Sequence, residues 1–555
     1  MIKLIENRFY YLENFCTVLE WIAERYSDLL TAQEREFIDH FHLLSKETKA
    51  LLVRMVMRKG DLFRSSKLAY DEIGSVEDAA APLIMLGWVD ENPWLSLDEL
   101  FGLLKKAEIS QVFGSSLHKT AARKSDQLLA LRGEFTDSRD FTAWYPASNE
   151  RVYQVQITPI CDRLRLMFFG NLRQDWSEFV LADLGIFQYE KVEFSASSRG
   201  FRSRQDIDDY LHLHRCRERF LLGEPPEEVL KDIPARVYDN DWLEGRRSKL
   251  LFQIAQHYEQ IKQFPAALNV YGQCQYSGSR VRAIRMMERC AQFESAFSLA
   301  NIAERTPESE AEKQQLLRIL PRLHRKLGHP RIPAVHHHLD PASRIDLALP
   351  KPEPLISVEE LVRVHLEQLS RQQRVRVHYV ENALINSLFG LLCWSAIFAP
   401  IPGAFFHPFH TGPADLHSPD FYRRRESQFI NSLLQLDSDQ YTHTIRHNFR
   451  EKAGIQSPFV FWDVLTEELL DLALSCVPAL HLKIWFERML LDIKLNRAGM
   501  PDLIQFWPDE KRYRMIEVKG PGDRLQDNQM RWLDYCAKHD IPVAVCYVQW
   551  AERVE

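Results

Sequence analysis

The sequence predicts a multidomain, mostly α-helical protein that closes on a C-terminal α/β domain with a mixed sheet. Three observations carry this expectation. Apolar residues recur at helical spacing through most of the first ~330 residues. Within that helical stretch, Gln263-Phe264-Pro265-Ala266-Ala267-Leu268 is echoed by Gln292-Phe293-Glu294-Ser295-Ala296-Phe297. Near the end the pattern changes to period-two strands separated by a single helix.

A chain of 555 residues has room for roughly three to four domains. Hydrophobic residues make up 45% and charged residues 26%, which excludes a disordered, collagenous or disulfide-stapled chain. The net charge of −7 excludes a protein coated in basic charge, so any nucleic-acid surface is a local patch. Nine cysteines are scattered with no CxxC pair, which suits a reducing compartment and buried thiols. No long apolar core follows Met1 to Arg8, and no secretory signal is expected. Leu384 to Phe406 is the most apolar stretch, but Asn386, Ser387, Pro400 and Pro402 make it a buried helix and turn, not a membrane span.

The first domain is set at residues 1–75. Tyr11 to Leu19 carries helical spacing, Thr31-Ala32-Gln33-Glu34 opens a second helix as a capping box, and a third covers Thr48 to Met57. With Arg64 to Tyr70 and a segment ending Gly87-Trp88-Val89, these suggest a winged-helix-like unit; the alternative is an all-helical scaffold. Residues 76–195 form the second domain. A helix from Leu95 to Leu104, the basic stretch Lys119-Thr120-Ala121-Ala122-Arg123-Lys124 and a helix to Leu131 resemble a SAP module, a small fold that binds duplex DNA. Lys119, Arg123 and Lys124 are its candidate phosphate contacts. Residues 151–169 alternate and read as two strands joined through Pro159 to Asp162. The loop Ser197 to Arg204 carries Arg199, Arg202 and Arg204, either a phosphate grip or a linker.

Residues 196–350 read as helices whose repeat is TPR-like, although the period of twenty-nine is shorter than the usual ~34. Pro330, Pro333, Pro341, Pro350, Pro352 and Pro354 mark the boundary before the last domain, 351–555. His336-His337-His338 in this segment reads as solvated linker, since three adjacent side chains cannot all face one ion.

The last domain opens with Ser357-Val358-Glu359-Glu360, a capping box. Its informative part is the end. Pro501-Asp502 leads into a strand, Trp507 to Lys511 makes a hairpin connection, and Arg512 to Lys519 is a second strand stopped by Gly520-Pro521-Gly522. A helix from about Arg524 to Lys538 and a buried strand from Val543 to Val548 imply a right-handed parallel crossover. Glu517 and Lys519 share one strand face, Val518 points into the core, and Asp502 sits at the mouth of the paired strand, so two carboxylates and an ammonium meet at a sheet edge. Two carboxylates and a backbone carbonyl, that of Val518, suit Mg²⁺, which makes a water more acidic and polarises a phosphodiester. Lys519 can orient that water or offset transition-state charge. Gln529 lies on the apolar stripe of the helix and needs a polar partner. With Asp523 and Arg524 it is the candidate support around the ligands.

The Pro-Asp … Glu-x-Lys spacing is the signature of the PD-(D/E)XK nuclease superfamily. The longer string from Glu517 to Gln529 closely resembles the VRR-Nuc domain of the Fanconi-associated nuclease family. Tyr10-Tyr11-Leu12-Glu13-Asn14-Phe15, Phe389-Gly390-Leu391-Leu392-Cys393-Trp394 and Gly412-Pro413-Ala414-Asp415-Leu416-His417 are similar to that family too, and the chain resembles a bacterial member. The resemblance implies a structure-selective DNA nuclease that cuts 5′ flaps and digests 5′→3′ with Mg²⁺ or Mn²⁺ in interstrand-crosslink repair. It implies flapped or branched duplex DNA as partner; the expected location is cytoplasmic, and nucleoid-associated if the chain is bacterial. By position Asp502 and Glu517 match its metal ligands, Lys519 its motif lysine, and Glu381 a further ligand. On its own residues, Glu381 reads as an acid at a helix start. The alternatives are a Holliday-junction resolvase, since VRR-Nuc domains also occur as small dimers, and a non-catalytic repair scaffold.

Overall fold

The computed structural model describes residues 7–116, 123–174, 176, 187–330, 344–351, 356–369 and 374–551. It divides into two compact units. One comprises residues 1–188 with 195–207, the other residues 189–194 with 208–555.

In the first unit, Tyr10–Arg25, Ala32–Leu43 and Lys46–Val56 are helices. The expected box at Thr31 and Glu34 caps the second helix reciprocally. Strands β1 (Leu62–Arg64), β2 (Val89–Glu91) and β3 (Val152–Val155) form an antiparallel sheet in the order β1-β3-β2, which supplies the wing of the winged-helix expectation. The central strand comes last in sequence. The SAP-like helices Leu97–Leu103, Lys106–Phe113 and Lys124–Leu131 therefore sit between β2 and β3, with a core of Leu97, Leu100, Phe101, Ile109, Phe113 and Leu131. The sheet joins residues on both sides of the expected boundary at 75.

The expected second strand in 151–169 is a helix, Thr158–Phe169. Pro159 stands in its first turn, where a missing N–H costs nothing. Leu164, Leu166, Met167, Phe168 and Phe169 are all buried with only Arg165 partly exposed among them, so the buried face is too wide to show a helical period and mimicked alternation.

In the second unit the repeat is real. The helices Phe264–Gly272 and Phe293–Arg305 begin identically. Lys262 and Ala291 take the left-handed conformation (φ +63 and +58), and the amides of Gln263 and Gln292 bond the carbonyls of Tyr258 and Met287, each at 2.9 Å. Ala296, Ala300 and Ala303 are fully buried where neighbouring helices approach closely. The repeat is not a body separate from the α/β domain. Arg318 on the helix Glu310–Lys326 forms a two-pronged ion pair with Asp527 (2.6 and 2.8 Å).

The C-terminal sheet has five strands: β4 (Arg344–Leu349), β5 (Arg376–Tyr379), β6 (Leu503–Trp507), β7 (Arg512–Lys519) and β8 (Val543–Trp550), in the order β4-β8-β7-β6-β5. β4 and β7 run parallel to β8, and β6 is antiparallel to both β5 and β7, so the sheet is mixed as expected. The crossover helix is Asp527–Lys538, three residues shorter at its start than expected. β4 corrects the boundary at 350/351: the sheet begins inside the proline-rich segment. Its alternation, Ile345, Leu347 and Leu349 inward, is short and ends at Pro350. One sheet face packs on the helix Val358–Leu369 through Leu349, Val362, Leu366, Leu503, Ile516 and Val518. The other packs on Asp527–Lys538 through Ile504, Phe506, Met515, Trp532 and Leu533. Residues 384–392 and 394–397 are buried helices, and no single helix among the described residues is long and apolar enough to cross a membrane. The histidine run at 336–338 lies outside the described residues.

Candidate active site

Alternation along β6 and β7 builds the site. Tyr513 and Met515 face the helix Asp527–Lys538, and Glu517 and Lys519 continue that face. Leu503 pairs with Ile516, so Asp502, one residue before β6, falls opposite Glu517. Asp502 Oδ2 accepts the Val518 amide at 2.8 Å, and Lys519 Nζ stands 2.7 Å from Glu517 Oε1. The expectation of a sheet edge is corrected: β4, β8 and β5 flank these strands, and the group lies at the end of the central strand. Two glycines permit the approach. Gly499 has φ +88, and an added Cβ would lie 2.7 Å from Asn528 Nδ2. At Gly520 an added Cβ would meet Asp523 Oδ2 at 3.0 Å.

All three charged side chains are buried, with Asp502 7%, Glu517 0% and Lys519 8% exposed. Neither carboxylate oxygen of Glu517 has a hydrogen bond of good geometry; the ion pair with Lys519 is its close polar contact. Burial, then the charge of Asp502, raises the Glu517 carboxyl to about 7. Burial, together with the fields of Glu381 and Glu359, raises Asp502 to about 6 against the pull of the Val518 amide and Lys519. Two buried carboxylates, one of them with both oxygens orphaned, and a single ammonium paired with Glu517 lack positive charge. A divalent ion bound through oxygen fits that deficit, and the Asp502 and Glu517 carboxylates are the groups that would hold it.

Glu381 stands beside this pair, close enough to oppose ionisation of both carboxyls. It is not at a helix start; it lies in the turn between β5 and the helix Leu384–Leu392, and its carboxylate accepts from Tyr379 Oη (2.5 Å) and Asn382 Nδ2 (3.3 Å). Among the described residues no three His, Cys, Asp or Glu side chains are already gathered as a metal cage. Glu359, noted in sequence only as a helix-start acid, adds negative field at Asp502. Tyr379 and Asn382 were not legible as site residues; the available signal was Tyr379 two residues before Glu381 on a strand.

The expected supports are placed differently. Gln529 Oε1 accepts the Gln526 amide at 2.9 Å, so its polar partner is the start of its own helix. Asp523 closes a turn on the Gly520 carbonyl (3.1 Å), and Arg524 is exposed. None of the three bonds Asp502, Glu517 or Lys519. Of the basic candidates, Lys119 lies outside the described residues. Arg123 is exposed, and Lys124 Nζ bonds the Leu104 carbonyl at 2.7 Å. Arg199 pairs with Asp28 (2.5 Å) and Arg204 with the fully buried Glu34 (2.7 Å), so both tie the loop to the N-terminal helices. Arg202 is exposed.

A mixed sheet with Pro501-Asp502 opening one strand and Glu517-x-Lys519 closing its antiparallel partner defines a nuclease of the PD-(D/E)XK class, whose chemistry depends on a divalent metal. Three family models match the chain: "FAN1, HTH domain" over residues 9–90, "Fanconi anemia-associated nuclease SAP domain" over 94–144 and "VRR-NUC domain" over 436–550. The Fanconi-associated nuclease 1 homolog of Pseudomonas aeruginosa is 58% identical over 98% of this chain and 96% of its own length. The Arabidopsis thaliana homolog is 23% identical over 98% of this chain and 67% of its own length. A crystal structure of paFAN1 bound to 2nt 5′ flap DNA with gap superposes with a TM-score of 0.94 at 57% identity, covering 99% of this chain and 100% of that one. A second, with a 1nt 5′ flap, gives 0.92. The chain belongs to the Fanconi-associated nuclease family and is a DNA nuclease.

Proposed function

We propose that this nuclease incises duplex DNA near 5′ flaps, digests 5′→3′ with Mg²⁺ or Mn²⁺, and acts in interstrand-crosslink repair. The observation that carries the reading is the buried Asp502–Glu517–Lys519 group in a chain that matches, over 99% of its length, a structure solved on 5′-flap DNA. Asp502, Glu517 and the Val518 carbonyl would hold the ion, with Glu381 as a further ligand. When bound, the ion polarises the scissile phosphodiester and lowers the pKa of a water. Burial excludes bulk solvent and fixes the carboxylates opposite each other. Lys519 leaves its pairing with Glu517 to orient the attacking water and offset charge on the phosphate. The nine cysteines are free and seven are buried, which supports a reducing, cytoplasmic setting.

A flap needs one incision, whereas a junction resolvase needs two sites related by a two-fold axis. End-labelled 5′-flap, 3′-flap and four-way-junction substrates separate these readings. The expected result is one incision near the 5′-flap junction, with the opposite strand left whole. Symmetric paired nicks across the four-way junction, faster than flap incision, would assign the chain to the resolvase class.

We further propose that local basic patches hold the duplex, with Lys119, Arg123 and Lys124 contributing from the SAP-like part and Arg202 from the loop. Each phosphate contact releases counterions, so losing one lowers the slope of log affinity against log salt by about 0.9. The combined Lys119→Ala, Arg123→Ala, Lys124→Ala variant is expected to bind more weakly with a shallower slope. Unchanged affinity and slope would refute the SAP-like grip.

A further inference from the structure

The turn carrying Glu381 is held by a set of bonds that reach the opposite acidic strand. β5 ends at Tyr379, and the Val380 amide bonds the Asp502 carbonyl at 2.8 Å. Tyr379 Oη donates to Glu381 Oε2 at 2.5 Å, and Asn382 Nδ2 donates to Oε1 at 3.3 Å. Each carboxylate oxygen thus has one donor from its own turn and keeps a lone pair for another partner. Asn382 also accepts the Met500 amide on Oδ1 at 3.1 Å, two residues before Asp502. Asn386 Nδ2 closes the arrangement on the carbonyls of Asn382 (2.6 Å) and Arg497 (2.8 Å). Asn386 is buried, which shields these bonds from water.

Asn382 has φ +53, a left-handed conformation that asparagine tolerates better than most residues. Tyr379 is 47% exposed, so water could satisfy its hydroxyl and its ring adds little to the core. Neither feature is needed to complete the sheet. Their joint effect is to fix the Glu381 carboxylate relative to the strand that bears Asp502.

We propose that Tyr379 and Asn382 are positioning residues that hold the Glu381 carboxylate beside Asp502 and Glu517, so that all three engage one divalent ion. The inference rests on the reading of Glu381 as a ligand given above. A carboxylate whose rotamer is already set loses less freedom when it captures an ion. Outer partners of this kind are worth about 10- to 100-fold in metal affinity.

The test is Mn²⁺ binding by the full-length protein without DNA, followed by the electron paramagnetic resonance of free Mn²⁺. Tyr379→Phe removes only the hydroxyl, and Asn382→Gly removes the amide while keeping the left-handed turn. Each is expected to weaken Mn²⁺ binding about tenfold, with thermal melting in EDTA unchanged for Tyr379→Phe. Glu381→Gln should weaken binding as well, and adding Tyr379→Phe to it should weaken binding no further, because the phenol acts through the carboxylate. In flap cleavage, Tyr379→Phe should raise the Mn²⁺ midpoint and recover near-normal rate at saturating Mn²⁺. Wild-type affinity in both positioning variants beside a weakened Glu381→Gln overturns the inference and leaves Glu381 a ligand. Additive losses in the double variant overturn it too. Wild-type affinity in Glu381→Gln removes Glu381 from the shell and the inference with it.

Discussion

Alanine at Asp502 or at Glu517 is expected to lower DNA cleavage by roughly 10³-fold or more while leaving flap-DNA affinity in EDTA within about twofold of wild type. The two side chains sit opposite each other on paired strands, and between them they supply the carboxylate oxygens that a divalent ion needs. Removing either leaves one strand carboxylate and Glu381 against Lys519, a set too poor in negative charge to retain the ion. Neither side chain is exposed enough to form a broad DNA surface, so binding should survive. Single-turnover cleavage of an end-labelled flap and a filter-binding or anisotropy titration separate the two effects. Normal cutting by either variant would move the chemistry elsewhere.

Asparagine at Asp502 is expected to stop cleavage and, at neutral pH without divalent ions, to stabilise the fold by about 1–3 kcal/mol. The Asp502 carboxyl is pushed up to about 6 in the folded chain, chiefly by burial, from an ordinary value of 3.8. Between those values the folded state holds a proton that the unfolded state has released. Stability therefore falls as pH rises from about 4 through about 6 and stays lower above that window. Asparagine keeps an oxygen to accept the Val518 amide and never ionises, and the Glu517–Lys519 pair is left in place. Urea melts in EDTA should show the variant ahead at neutral pH and level with wild type below about pH 4. A variant less stable than wild type at neutral pH would contradict the account of a buried, uncompensated charge. Loss of function with a gain in stability is the expected mark of a site kept strained for catalysis.

The catalytic strands were legible because their signals are local. Alternation places Glu517 and Lys519 on one face, and Gly520-Pro521-Gly522 ends the strand where the chemistry sits. The helical repeat was legible for the same reason: the two copies share a turn whose geometry needs only a few neighbouring residues. What failed depends on distant partners. β4 is six residues long, lies beside prolines and exists because β8 offers it a parallel neighbour. The helix Thr158–Phe169 buries nearly every residue of its C-terminal half, which blurs its period. Arg199 and Arg204 look like a phosphate grip until Asp28 and Glu34 arrive from ~170 residues away. Gln529 looks like a site residue until the start of its own helix takes its side chain. Asn382 is tied to the strand that bears Asp502 through Met500, 118 positions later in the chain.

The most direct test of the central claim is anomalous diffraction from Mn²⁺ in crystals of the full-length protein bound to 5′-flap DNA. An anomalous peak is expected between the Asp502 and Glu517 carboxylates, with Glu381 and the Val518 carbonyl on the same ion and each oxygen within about 2.5 Å. A peak that avoids Asp502 and Glu517, with both carboxylates left facing Lys519, would contradict it.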